Sequence, residues 1–108
     1  MSSASAQSVD KMPIHRGQGG CYVQGENVTL DDVYRRCLLE GVTLTPNQER
    51  VVKPALQRFT KEIETTFFTN PRPTYEGFFN TVKPVLSSQQ AAQVRSHINA
   101  IMRGYTRR

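Results

Sequence analysis

Three times along this chain a Ser or Thr precedes, by three residues, a polar side chain able to reach back to it: Thr29 with Asp32, Thr45 with Gln48, and Ser87 with Gln90. That spacing marks a helix start, because the hydroxyl accepts from an orphan backbone N–H while the later side chain returns the bond. Stop signals stand between the starts: Gly41, the linker Thr69-Asn70-Pro71-Arg72-Pro73, Pro84 and Gly104. Two prolines within three residues disfavour helix, and Gly supplies the left-handed residue that commonly closes one. Caps and stops together cut the chain into helix-length pieces and leave little room for a sheet.

Apolar residues recur at helical spacing inside each piece. The first carries Leu30, Val33, Tyr34, Cys37 and Leu38. The second starts with Pro46 in the first helical position and carries Val52, Ala55, Leu56, Phe59, Ile63 and Phe67. Pro54 lies inside it and predicts a kink or break near residues 51–53. The third runs from Thr74 through Tyr75, Phe78, Phe79 and Val82. The fourth runs from Ser87 or Ser88 through Ala91, Val94, Ile98, Ile101 and Met102. The fold class expected is all-α, four helices arranged as two helical hairpins, with a disordered N-terminal tail.

At 108 residues and 37% apolar the chain has room for one core. Residues 1–24 read as a flexible tail, rich in Ser, Ala, Gly and Gln and without periodicity. Residues 25–105 read as the helical domain and residues 106–108 as a basic end. Gly17-Gln18-Gly19-Gly20 has neither a strand before it nor a helix after it in this reading, so it is no phosphate cradle. No apolar run reaches the ~20 residues that span a bilayer, and the start lacks a secretory apolar core. A soluble, cytoplasmic protein without membrane contact is expected. Cys21 and Cys37 lack metal-ligand spacing and are too few for a disulfide framework. They suit a reduced compartment, with Cys37 serving as a small buried hydrophobe.

The formal charge of +5 is unevenly placed. Residues 1–76 hold nine basic and nine acidic side chains, whereas residues 77–108 hold Lys83, Arg95, Arg103, Arg107 and Arg108 and no acid. Such an asymmetry suits an acidic partner, although a solvated face would show it too.

The stretches EGVTLTPNQER (40–50) and KPVLSSQQAAQ (83–93) echo one another, each with a Leu, a hydroxyl cap and a Gln three residues after the cap. Thr29-Leu30-Asp31-Asp32-Val33 likewise aligns with Thr74-Tyr75-Glu76-Gly77-Phe78, which suggests a degenerate duplication. The arrangement resembles a divergent EF-hand pair over residues 21–102, on the patterns Val28-Thr29-Leu30-Asp31-Asp32-Val33 and Pro73-Thr74-Tyr75-Glu76-Gly77-Phe78. The resemblance implies an EF-hand-like fold that has lost its ion; a simple four-helix bundle is the alternative. Calcium needs a dense oxygen set, and the corresponding registers hold Cys21, Val23, Gly25, Asn27 and Asp32, then Thr66, Phe68, Asn70, Arg72 and Gly77. It also implies a structural part of a cytoskeletal or microtubule assembly.

No catalytic motif occurs. His15 falls in the tail, and His97 is expected on a solvent face. We therefore expect no enzyme, no cofactor, no metal and no small-molecule substrate. Phe67, Phe68, Tyr75, Phe78 and Phe79 straddle the proline linker and exceed what one helix face needs. They read as an anchor for a partner or as the filled hinge of a core. The expected function is a non-catalytic interaction subunit. It would dock on an acidic protein surface through those aromatics together with Arg95, Arg103, Arg107 and Arg108. The alternative is a small RNA- or DNA-binding protein of viral or phage type, contacting phosphates through the same arginines.

Overall fold

The computed structural model describes residues 13–24 and 28–105. A hairpin of β1 (Ile14–Gly17) and β2 (Gly20–Val23) precedes four helices: α1 (Leu30–Leu39), α2 (Pro46–Thr66), α3 (Arg72–Val82) and α4 (Ser88–Met102). A short 3-10 turn, Lys83–Val85, lies between α3 and α4. Each helix packs on the next and α4 closes back on α1, so the four surround one core.

The caps act as their spacing requires. The Asp32 N–H donates to Thr29 Oγ1 at 3.1 Å. Thr45 with Gln48, and Ser87 with Gln90, each form both bonds of a capping box. An N-cap of this kind is worth about 1 kcal/mol. The two boxes also meet in space. Gln48 accepts from the Thr45 N–H and donates through Nε2 to the Val85 carbonyl at 3.0 Å. Gln90 accepts from the Ser87 N–H and donates to the Thr43 carbonyl at 2.8 Å. The amides join at 2.7 Å, from Gln48 Nε2 to Gln90 Oε1, across 42 residues of sequence. The joints before α2 and α4 are thus bonded reciprocally, residue for matching residue.

α2 continues through Pro54 without a break. Its other face buries Val52, Ala55, Leu56, Phe59 and Ile63, and at about 1.5–3 kcal/mol per large apolar side chain this outweighs the ~3 kcal/mol an interior proline costs. Tyr34, Phe59, Tyr75 and Phe78 stack edge-on or tilted at the centre, with the Phe59 ring 5.0–5.7 Å from the other three.

The all-α expectation is corrected by the hairpin, which forms within residues expected to be disordered. Ile14 pairs with Val23, His15 with Tyr22, Arg16 with Cys21 and Gly17 with Gly20. The two-residue loop has positive φ at both positions, 56° at Gln18 and 86° at Gly19, as a tight hairpin turn of matching twist requires. So the Gly-rich run is a hairpin turn with a strand on each side.

The ribbon is anchored rather than free. The Gln18 and Gly19 N–H groups donate to the Arg103 and Ile101 carbonyls, both at 2.8 Å. Arg16 donates to the Cys37 carbonyl and to the Glu40 carboxylate. Cys21 and Cys37 form a disulfide that ties β2 to α1. The expected free cysteines are corrected here, and the reduced compartment loses its premise. Cys37 is buried as expected, but as half of a covalent bridge.

The expected tail over residues 1–12, and the basic residues Arg107 and Arg108, lie outside the described residues. Among the described residues no helix is long and apolar enough to cross a membrane.

Candidate interaction surface

The turn of the hairpin lies where α2, α3 and the end of α4 converge, and glycine is what lets it fit. A Cβ on Gly19 would stand 2.9 Å from the Tyr105 ring, and one on Gly20 would stand 2.9 Å from the Phe67 ring. Phe67 therefore rests on the bare backbone of β2, on the strand face that also carries Tyr22, since residues two apart share a face. Tyr22 is 58% exposed and stacks on His15 at 4.7 Å.

Beyond Phe67 the chain leaves α2, and Phe68 projects into solvent at 88% exposure, meeting the Phe67 ring edge-on at 4.9 Å. On the other side of the turn Tyr105 donates to the Thr69 carbonyl at 3.3 Å and lies under the Arg72 guanidinium, 5.8 Å from the ring centre. Arg103, exposed, is tied to the turn through its carbonyl. The result is a surface of Tyr22, Phe67, Phe68 and Tyr105 edged by Arg72 and Arg103.

The expected anchor set divides on this geometry. Phe67 and Phe68 are on the surface. Tyr75, Phe78 and Phe79 are buried, at 7% exposure or less, and belong to the core. They occupy one side of α3 with Val82, at helical spacing, so the core claims them. Arg95 is engaged within the chain: it grips Glu76 with two bonds of 2.7 Å and lies 4.2 Å from the Phe79 ring centre. That bidentate bond holds the Glu76 carboxyl below the usual carboxylate range and pushes the Arg95 guanidinium up. Tyr22, Tyr105 and Arg72 were not among the anchors expected from the sequence. The alternation of Cys21, Tyr22 and Val23 was the one available signal for Tyr22.

A buried polar contact locks the surface from behind. The Tyr75 hydroxyl donates to the Gly19 carbonyl at 3.0 Å, and its ring lies 6.4 Å from that of Tyr34. Burial, and then the neighbouring Tyr34, push the Tyr75 hydroxyl far above its ordinary value, so it remains a neutral donor.

His97 does not face solvent. Half-buried, it hydrogen-bonds the Glu40 carbonyl at 2.8 Å, where Gln93 also approaches. The Glu40 carboxylate takes Arg16 and Arg36, and the Arg16 bond is the main reason its carboxyl lies below the usual range. An Arg35–Glu49 pair lines the cleft beside it. Asp31 accepts from the buried Thr60 hydroxyl at 2.6 Å. Among the described residues no group of three or more His, Cys, Asp and Glu side chains converges to hold a metal ion.

No protein-family model, curated protein or solved structure matches this chain.

Proposed function

We propose that the chain is a non-catalytic interaction module that docks on an acidic protein surface through Tyr22, Phe67 and Phe68, with Arg72 and Arg103 at the edge. The observation that carries this is the 88% exposure of Phe68 beside Phe67, on a surface rigidly seated against the hairpin. A large aromatic held on a rigid base loses little conformational freedom on binding, which is the profile of an interface anchor. Arg107 and Arg108 follow Tyr105 by two and three residues and extend the same positive edge in sequence. The carboxylates of Asp31, Glu40, Glu49 and Glu76 are tied to neighbours in the fold. That supports packing rather than acid–base work for them. A cytoskeletal setting rests on the EF-hand resemblance alone.

Aromatics interleaved with arginine also suit single-stranded nucleic acid, where bases stack and guanidinium groups meet phosphates. The test is a pull-down from native lysate at about 0.15 M salt, with and without nuclease, using the wild-type chain and Phe68→Ala. A protein partner retained after nuclease, and bound roughly tenfold more weakly by Phe68→Ala, supports the proposal. Loss of all bound material on nuclease treatment, with steep salt dependence, replaces it with the nucleic-acid reading.

A further inference from the structure

Two residues that weaken helices stand on the solvent side of the bundle and line the same groove. Pro54, exposed in the interior of α2, has no N–H to give the Arg50 carbonyl. Gly77 lies in the interior of α3, where glycine is a poorer helix former than alanine. A glycine can be required by a close neighbour or by a positive φ. Neither applies here: a Cβ at Gly77 would meet nothing within 4 Å, and its φ is not in the left-handed region. No contact within the described chain asks for the missing side chain.

The groove between the two helices, ≈ 340 Å³, has Val51, Pro54 and Gly77 on its walls and Arg50 and Arg58 along its α2 rim. Lys53 and Lys61 are exposed farther round α2, on its side toward α1. Ion pairs among the described residues use Arg16, Arg35, Arg36 and Arg95, and none involves Arg50, Lys53, Arg58 or Lys61. Glu62 is the one acid in the lining. The groove therefore joins an apolar lining, a point open to close backbone approach and two arginines, Arg50 and Arg58, that no ion pair among the described residues engages.

The geometry points to this groove as a second docking site, distinct from the aromatic surface, for an acidic amphipathic helix of a protein partner. The partner's apolar stripe crosses at Gly77, where the absent side chain allows the two backbones to approach. Its carboxylates meet Arg50 and Arg58, which are about 12 Å apart along α2 at 1.5 Å per residue, or two turns of the incoming helix. Charge complementarity selects an acidic occupant. The apolar lining selects a protein over a nucleic acid, because its two rings, Phe59 and Phe78, are buried and its accessible apolar atoms belong to Val51 and Pro54, which leaves no exposed ring for a base to stack on.

The test titrates the 15N-labelled 108-residue chain with a synthetic Leu/Glu amphipathic peptide carrying Glu at seven-residue spacing, up to millimolar concentration. A Leu/Lys version and a thymidine oligonucleotide are run in parallel. The expected result is saturable shifts of the amides of residues 50–62 and 77–81 with the Glu peptide only. Binding should be at least tenfold weaker in Gly77→Leu, which fills the groove, and in Arg50→Glu/Arg58→Glu. Gly77→Leu meets open space and replaces a poor helix former, so its melting temperature should not fall. That separates lost binding from lost folding. Phe68→Ala should leave the titration unchanged, which keeps this site distinguishable from the aromatic one. Equal response to the Leu/Lys peptide, undiminished binding by Gly77→Leu, or shifts with the oligonucleotide alone would each overturn the assignment.

Discussion

Breaking the Cys21–Cys37 bridge should lower stability by a calculable amount. The bridge closes a loop with a sequence separation of 16 residues. In the chain-entropy account, a loop of about 15 residues removes roughly 3 kcal/mol of freedom from the unfolded state. In a domain of this size each kcal/mol shifts the melting temperature by about 4–8 °C, so reduction should lower it by roughly 12–24 °C. The native hairpin should survive reduction at low temperature, because the bonds from Arg16, Gln18, Gly19 and Tyr75 do not depend on sulfur. The assay is thermal unfolding by circular dichroism with and without a phosphine reductant, and with Cys21→Ser as a chemical match for the reduced state. Cys21→Ser should melt where the reduced wild type melts and should not respond to reductant. Alkylation of both thiols when unreduced native protein unfolds would show that the bridge is absent. Coincident melting temperatures with and without reductant would show that the bridge contributes no stability.

Three further outcomes follow from the packing. Tyr75→Phe removes the donor to the Gly19 carbonyl and should cost about 1–3 kcal/mol by chemical denaturation, because a buried acceptor is left unpaired. Glu40 and Glu76 both have folded-state pKa values below the ordinary 4.5. Their contribution is therefore present above pH 4.5 and lost as the pH falls through the folded values. It should be small in a urea series across that range, since the side chains remain 42% and 39% exposed. Gln48→Ala and Gln90→Ala should each destabilise by about 1 kcal/mol, and the double variant by less than the sum, because the two amides bond each other.

How far the sequence could be read depends on how local each determinant is. A cap is settled within three residues, so Thr45 with Gln48 and Ser87 with Gln90 were legible without any knowledge of the rest of the chain. The hairpin was not. Its turn is short and its strands are four residues each, and the reasons Gly19 and Gly20 must be glycine are Tyr105 and Phe67, which no local pattern brings near. The same distance hid the disulfide, since Cys37 reads equally well as an ordinary core residue of α1. The aromatic cluster could be divided only in part by periodicity, since Phe67 also continues the α2 stripe four residues after Ile63. Tyr75, Phe78, Phe79 and Val82 follow the i, i+3, i+4, i+7 pattern of a buried helix face, whereas Phe67 and Phe68 lie beyond the last residue of α2.

The echo between residues 40–50 and 83–93 shows a different relation between sequence and fold. Similar capping chemistry alone would produce two unrelated helix starts. Here each Gln completes its own box with Oε1 and uses Nε2 on the carbonyl that opens the other joint, Thr43 or Val85. A Glu would serve the capping box as well, but it has no N–H to give across the gap. The choice of Gln at both positions is thus explained by the reciprocal contact rather than by either helix start alone. The hydroxyls at Thr45 and Ser87 set where α2 and α4 begin; the amides of Gln48 and Gln90 set where they begin relative to each other.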